Sequence, residues 1–258
     1  HHRLSGAGAM MQATQQAVGE FISRFFHGLR PTTEDMREFC ARPLAHACVW
    51  ANGRMVDDVE SQLRAWMSND PEPGARTYKL PVVIVALSND YTQTAKEINY
   101  QVNEQRYIRL PNDPKNRVFG LKTVAADRRM QVCIIAQERV TADSIAAQLA
   151  QFVSSEQNRR FYAGYRFSGV DAGAWPVQID SPDVYGKAVL VDGAKAPIIL
   201  TTDFDLHTNV PMFSAPAPGE PNDGLGDPGN PDDLAGYPTV VAVEGHEIYS
   251  GARWSVHG

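Results

Sequence analysis

The sequence IILTTDFDLHTNVPMF, residues 198–213, is the longest regular pattern in the chain. Its odd positions include Asp203, Asp205 and His207, between even positions that are apolar or Thr. Because successive side chains of a strand point to opposite faces, this alternation predicts a strand with one face on a core. The other face is predicted to meet water or a partner. The run exceeds the usual strand length of about 5–6 residues, as expected of a strand that projects or crosses a subunit boundary. The predicted core side consists of Ile198, Leu200, Thr202, Phe204, Leu206, Thr208, Val210 and Met212.

The composition is that of an ordinary globular protein. The chain has 258 residues, of which 43% are hydrophobic and 21% charged, enough for one large domain, or one domain with appendages, around a proper core. The formal net charge of −6 argues against a general nucleic-acid grip, which needs a basic surface, although a local basic patch is compatible with it. No apolar run approaches the roughly 20 residues of a membrane helix.

The cysteines and the first ten residues give little information about the fold. Cys40, Cys48 and Cys133 are too widely spaced for a disulfide framework or a zinc site, so reduced structural thiols in a cytosol are expected. The opening HHRLSGAGAM, residues 1–10, resembles the remnant of a histidine tag and linker. We therefore exclude it from fold reasoning and expect the native chain to begin at Met10 or Met11.

Three helices are predicted in the first third of the chain. Apolar residues at helical spacing over residues 18–29 indicate the first, which Arg30-Pro31 ends. Thr33 is expected to cap a short second helix. The stripe Val56, Val59, Leu63 and Trp66 indicates a third, which ends before the Pro-rich break at residues 69–74.

Strands dominate the middle of the chain. Residues 80–87 are continuous and β-branched, which predicts a strand buried on both faces. A helix is predicted to begin at Thr141-Ala142-Asp143, with Ile145 and Leu149 on its apolar face. Further strands are predicted at residues 98–102, 107–110, 130–136, 161–167 and 187–191. The order predicts an α+β fold, a mixed or antiparallel β-sheet packed by helices, with an N-terminal helical region (11–76), a core (77–214) and an extended C-terminal arm.

Residues 215–238 differ in kind from the rest. They contain six Pro, five Gly and five acidic residues, with no Lys or Arg, which indicates a linker before a β arm at 239–258. Gly224 to Gly229 matches G-x-G-x-x-G by letters, but the strand and helix that a phosphate site needs are not predicted around it. The acids here favour a solvated linker over a calcium site, because the EF-hand spacing is absent. The oxygen-bearing residues concerned are Asp223, Asp227, Asn230, Asp232 and Asp233.

Three groups of residues invite a functional interpretation. Asp203, Asp205 and His207 share one strand face and could bind a metal or form an acid/base pair. A compact site would need ligands from a neighbouring strand, so the solvated or partner-facing side of a strand is favoured. The pairs Arg128-Arg129 and Arg159-Arg160 are either solvated or in contact with an acidic partner. The aromatics Trp175, Tyr185 and Trp254 could stack on sugars in a glycan- or receptor-binding module, but they are dispersed and burial is favoured for each.

The order of elements resembles the ring-forming tail terminators of contractile-tailed bacteriophages, also called tail sheath stabilisers or tail completion proteins. The similarity spans roughly Thr77 to Phe213. The extra helices between Pro31 and Asn69, the Pro/Gly-rich stretch and the C-terminal run depart from the family pattern. The residues that carry the resemblance are Lys79-Leu80-Pro81 opening an apolar strand, Ser88-Asn89-Asp90-Tyr91-Thr92, Lys96, the strand–helix unit from Met130 to Ser154, Asp180-Ser181-Pro182-Asp183-Val184-Tyr185-Gly186 and the last long strand.

The resemblance implies a non-enzymatic virion protein without cofactor or metal. It would form a ring, a hexamer in this family, that caps the tail tube and sheath and joins them to the head connector, after assembly in the host cytoplasm. Phage DNA would pass through the lumen without sequence-specific binding. The alternatives are a baseplate or tail-initiation protein and, in another class, a metal-dependent hydrolase that uses Asp203, Asp205 and His207. Candidate interface residues are Asp183, Tyr185, Asp203, Asp205, His207, Arg159, Arg160, Tyr249 and Trp254.

Overall fold

A computed structural model describes residues 4–51, 80–88, 92–93, 106–110, 113–115, 117–167, 170–180, 187–189, 197–219, 223–225, 242–246 and 253–257. The helices in these ranges are α1 (Leu4–Gly28), α2 (Glu34–Cys40), α3 (Leu44–Ala47), α4 (Arg139–Ser154) and α5 (Glu156–Arg159). The strands are β1 (Cys48–Trp50), β2 (Val82–Leu87), β3 (Thr92–Gln93), β4 (Arg106–Arg109), β5 (Val118–Ala136), β6 (Arg160–Phe167), β7 (Val170–Ile179), β8 (Lys187–Val189), β9 (Ile198–Ser214), β10 (Ala242–His246) and β11 (Arg253–His257). None of the described helices is both long and apolar enough to cross a membrane.

The chain divides into two compact units. The first comprises His1–Tyr100, Ala125–Tyr165 and Gly173–Val210, and the second comprises Gln101–Val124, Arg166–Ala172 and Pro211–Gly258. In the first unit the strands lie in the order β1-β2-β5-β9-β7-β6, with β3 beside β5 and β8 beside β9. The β1–β2 pair is parallel, whereas β2–β5, β7–β9 and β8–β9 are antiparallel. The predicted α+β fold with a mixed sheet is therefore confirmed.

Helix α1 covers one face of the sheet in the first unit. Phe21 is fully buried, with its ring 5.3 Å from that of Phe161 on β6 and 5.4 Å from that of Phe152 on α4. About two turns earlier on α1, Thr14 Oγ1 lies 3.3 Å from the hydroxyl of Tyr165, also on β6. The buried residues of β6 therefore point toward α1. We call this side of the sheet the helix face, and the opposite side the open face.

The helical stripe that the sequence predicted for α1 is the buried one. Burying large apolar side chains is the main favourable term in folding, at roughly 1.5–3 kcal/mol for each, so this face fixes how α1 packs. The helix ends at Gly28, just before the Arg30-Pro31 stop, and Thr33 accepts a hydrogen bond from the backbone N–H of Met36 as the predicted cap of α2. The buried residues of α1 include Ala17, Val18, Phe21, Ile22, Phe25 and Phe26.

Strand β9 follows the predicted alternation only in its middle. Asp203 and Asp205 are exposed, and they alternate with Thr202, Phe204 and Leu206, which are buried. Toward its start, Ile199 is buried although it lies on the side predicted to be polar. It packs there in an apolar cluster on the open-face side with Val82, Ala86, Cys133 and Ile135, so this end of the sheet is buried on both faces. The prediction for Met212 is wrong, since its side chain is 47% exposed in the second unit.

Several boundaries differ from those that the sequence predicted. Helix α1 begins at Leu4, so part of the stretch interpreted as a tag remnant is helical. Helix α4 begins at Arg139, two residues before Thr141. Thr141 is buried inside the helix, and its hydroxyl bonds that of Thr33 (2.8 Å) instead of capping the helix. Strand β5 starts twelve residues before Met130, and β7 was not predicted at all. The predicted helix over 56–66 and the strand at 98–102 lie outside the described residues.

The second unit contains part of the stretch interpreted as a linker, and that part is packed. Strands β4 and β5 pair antiparallel there, and β10 pairs with β11 in a separate hairpin. Asp223 is 3% exposed and accepts a hydrogen bond from the backbone N–H of Leu225 at 2.7 Å. Gly224 has a φ of +73° and lies so close to Lys115 that a Cβ atom would meet its carbonyl oxygen at 2.6 Å. These described residues form a packed loop, because Asp223 would be exposed to solvent in a flexible linker.

Candidate functional site

Polar side chains collect on the open face of the first unit, at the end of the sheet formed by β5, β9, β7 and β6. The parity of each strand explains why, since residues between buried neighbours must point the other way. On β9 these are Asp203, Asp205 and His207. Neighbouring strands add Asp127, Arg129 and Gln131 from β5, Gln178 from β7, Asp180 just after β7, and Arg160 and Tyr162 from β6.

Asp203 is held by two side chains of the adjacent strand β5. Arg129 Nη2 lies 2.9 Å from its Oδ1 atom, and Gln131 Nε2 donates to the same oxygen at 3.0 Å. The ion pair is half exposed, 44% at Arg129 and 36% at Asp203, so it contributes at most about 1 kcal/mol. Gln131 is only 4% exposed and its Oε1 atom has no partner. Asp203 thus satisfies one end of a buried amide as well as the arginine.

His207 lies between two carboxylates, one on each side of its ring. Its Nδ1 atom bonds Asp127 on β5, and its Nε2 atom lies 3.2 Å from Oδ2 of Asp180. Burial of the ring is the largest single influence and lowers the pKa of His207. The hydrogen bonds to Asp127 and Asp180, together with their charges, outweigh it, so the net effect is a pKa above the ordinary 6.5. His207 on β9 therefore joins β5 to the residue that follows β7, and both contacts favour its protonated form.

This arrangement differs from a metal site. A metal ligand offers one nitrogen to the ion, whereas here the carboxylates of Asp127 and Asp180 occupy opposite nitrogens of His207 and cannot converge on one atom with it. Asp203 is turned toward Arg129, and the side chain of Asp205 is exposed. Among the described residues no group of three or more His, Cys, Asp or Glu side chains could hold a metal ion.

The paired arginines have different fates. Arg128 is 3% exposed and its Nε atom donates to the carbonyl of Ser88 at 3.0 Å, so it fixes the end of β2 rather than meeting a partner. Arg129 forms the ion pair with Asp203. Arg159 is half-buried and its Nε atom is buried without a hydrogen bond. Of these four arginines, Arg160 alone is exposed and forms no ion pair with the described residues, and Tyr162, two positions along β6, is 54% exposed.

The other candidate residues are placed less fully. Asp183, Tyr185 and Tyr249 lie outside the described residues, and Trp254 lies on β11. Trp175 is 5% exposed, so the prediction of burial is confirmed for it. Sequence reasoning missed Asp127, Gln131, Asp180 and Tyr162. A signal existed for part of β5, since Arg129 and Gln131 alternate with Met130 and Val132, but Asp127 falls outside that pattern because Arg128 separates it from Arg129.

Three thiols and two open clefts lie elsewhere in the described part of the chain. Cys40, Cys48 and Cys133 are free, and burial raises the pKa of Cys48 and of Cys133 to about 12, so both thiols stay protonated. An open cleft of about 520 Å³ beside α1 is lined by Gln16, Gly19, Glu20, Ser23, Leu44 and Trp50. Another of about 460 Å³ is lined by Phe25, Leu29, Arg30, Gln148, Phe152 and Asn158. At the first cleft Ser23 Oγ lies 3.3 Å from Nδ1 of His27, but that nitrogen donates to the Ser23 carbonyl oxygen at 2.7 Å and therefore does not act as a base toward the hydroxyl.

The open face is thus a set of side chains that satisfy one another across strands, with an exposed aromatic and an exposed arginine at the edge. Such a surface has the composition of a protein contact, since Tyr and Arg are enriched where proteins meet. Comparisons with models of protein families and with curated proteins give no match for this chain.

Proposed function

We propose that this chain is a structural virion protein that forms a ring at the head-proximal end of a contractile phage tail. There it caps the tube and sheath, joins them to the head connector and lets DNA pass through the lumen. The observation that carries the proposal is the eight-residue edge strand β6, which has β7 as its one neighbour among the described strands and presents Arg160 and Tyr162 outward. Together with the order of elements resembling tail terminators, it favours assembly over catalysis.

A closed ring needs two different complementary surfaces on each subunit, because each copy contacts one neighbour through one surface and the next neighbour through another. The open face of the first unit carries the two complementary charges of one such contact. Strand β6 is free of acidic residues and carries a basic side chain at an edge, whereas β9 exposes Asp203 and Asp205 in the middle of the sheet. Edge strands also offer unpaired backbone groups for pairing with another chain.

The chemistry of the open face supports the same choice. A hydrolase built on Asp203, Asp205 and His207 would have to gather their side chains around one ion or one substrate atom. Each side chain instead has a separate role: Asp203 binds Arg129, His207 joins two carboxylates, and Asp205 faces solvent. These contacts stabilise the sheet and leave a rigid surface for docking.

Particles of a phage that encodes this chain provide the test. Mass spectrometry of purified particles should detect the chain at a few copies per particle. Averaged electron cryo-microscopy of the same particles, with an antibody against the chain as a marker, should place it in a ring at the neck. A ring at the baseplate would assign the chain to the other end of the tail, and absence from washed, infectious particles would refute a virion role.

A further inference from the structure

Two opposite charges on the open face make no ion pair within the part of the chain that the structure describes. They are Arg160 on β6 and Asp205 on β9, and both side chains are exposed. The other charged side chains that the first unit places on that face have partners: Arg129 binds Asp203, and His207 binds Asp127 and Asp180. Within the first unit the internal pairing therefore leaves one cation and one anion, while Arg166, farther along β6, belongs to the second unit.

Arg160 and Asp205 are kept apart by the sheet itself. Strand β7 lies between β6 and β9, and strands are spaced about 4.8 Å apart, so the two backbones are roughly 10 Å from each other. Asp180 and Asp205 are neighbours across β7 and β9, because the Asp180 N–H donates to the Asp205 carbonyl at 3.3 Å. The acidic side of the face is thus at β7 and β9, and the basic side is at the β6 edge.

The β6 edge has the shape of a contact as well as the charge. Tyr162 follows Arg160 on the same side of the strand and is 54% exposed. Gly164 comes next on that side, where a Cβ atom would have no neighbour within 4 Å, so the surface beside Tyr162 is open. An exposed tyrosine beside an arginine is the combination from which binding hot spots are built.

We propose that this chain associates with a second copy of itself through these surfaces, with Arg160 of one copy bound to Asp205 of the other and Tyr162 packed inside the contact. Charge complementarity favours a second copy as the partner, because the open face carries both Arg160 and Asp205. Neither side chain forms an ion pair within the described part of its own chain. This inference rests on the proposed function, because both require self-assembly. It adds the surface through which the copies would bind each other. An exposed ion pair alone adds little affinity, but a like-charge pair in its place is strongly unfavourable.

Charge reversal tests the contact. The variants are R160E, D205R and the double variant R160E/D205R, and the matched control is R24E, which reverses an exposed arginine on α1. Sedimentation velocity at low salt, up to about 100 µM chain, measures self-association, and circular dichroism checks that each variant is folded. We expect each single open-face reversal to weaken self-association by about tenfold or more, because it places like charges together. The R24E control should behave as the wild type.

Mixing the two single variants is the decisive experiment. An equimolar mixture of R160E and D205R should associate like the wild type, because each R160E chain then meets a D205R chain with the charges exchanged, and the double variant should recover in the same way. A mixture that stays dissociated overturns the proposal, as does a wild-type chain that remains monomeric throughout the range. A monomeric wild type would refute this contact but not the virion role, which electron microscopy of phage particles tests separately. If the mixed variants recover self-association but form only dimers, the result supports the contact and counts against a ring.

Discussion

Oδ2 of Asp180 lies 3.2 Å from Nε2 of His207, on the side of the ring away from the carboxylate of Asp127. Neutral imidazole has one N–H and can donate to only one of these carboxylates, whereas imidazolium donates to both. The pair of contacts therefore selects the protonated ring. Its side chain is 16% exposed, so solvent screens it only partly.

We expect His207→Asn to destabilise the protein most at mildly acidic pH. Burial lowers the pKa of His207, but its bonds to Asp127 and Asp180 and their charges raise it above 6.5 overall. A raised folded pKa gives stability that is complete below the unfolded value and is lost as pH rises through the folded value. The free energy of unfolding should therefore fall by about 1 kcal/mol below pH 6.5, a figure reduced for the exposure of Asp180.

Urea denaturation of both proteins over a pH series measures this difference. The difference should shrink as pH rises through the folded pKa of His207. Asp180→Asn keeps the bond to Asp127 and is expected to show a smaller effect with the same sign. A difference that stays constant from acid to alkali would mean that the histidine contributes by packing rather than by its charge.

The sequence predicted the middle of β9 because alternation is local, but it could not predict what each face meets. Ile199 and Asp203 share one side of the strand, and only the neighbouring strands make the first position apolar and the second polar. The bridge at His207 depends on Asp127 and Asp180, which are 80 and 27 positions away in the chain. Strand β7 escaped prediction because Gly173 and Pro176 interrupt it, and both residues are weak strand formers.

A second prediction concerns the turn between β4 and β5 in the second unit. The Arg117 side chain, above all, lowers the pKa of Asp113 to about 2, and the backbone N–H groups of Arg117 and Lys115 add to this. Arg117→Ala should raise that pKa from about 2 toward the ordinary 3.8. Carbon-detected NMR titration of the carboxyl group measures it directly.

The same substitution has a consequence for stability. A depressed folded pKa gives stability that is present above the unfolded value and is lost as pH falls through the folded value. The difference in melting temperature between wild type and Arg117→Ala should therefore narrow as the pH falls from about 4 to about 2. Arg109→Ala, which removes an exposed arginine from β4 in the same unit, serves as the control. An unchanged Asp113 titration in Arg117→Ala would contradict the assigned cause.

Gly224 and Gly219 separate backbone strain from steric clash in the second unit. Both have positive φ, +73° and +88°, but a Cβ atom at Gly224 would lie 2.6 Å from the carbonyl oxygen of Lys115, whereas at Gly219 it would meet open space. Gly219→Ala should cost about 1 kcal/mol for the left-handed backbone alone. Gly224→Ala should cost more, because the backbone at Lys115 must move. Limited proteolysis measures the result, with faster cleavage near this loop expected in Gly224→Ala, and equal effects would argue against the close contact.

Adjacent aromatic residues on β6 give the last prediction. Phe161 is 7% exposed with its ring stacked 5.3 Å from Phe21, whereas Tyr162 is 54% exposed on the open face. Phe161→Ala should lower the free energy of unfolding by about 3–5 kcal/mol, because it leaves a cavity against α1. Tyr162→Ala should change it by less than about 0.5 kcal/mol, yet weaken self-association. Urea denaturation and sedimentation velocity of the two variants separate these effects. If Tyr162→Ala were as destabilising as Phe161→Ala, the tyrosine would belong to the core and the open face could not dock a second copy through it.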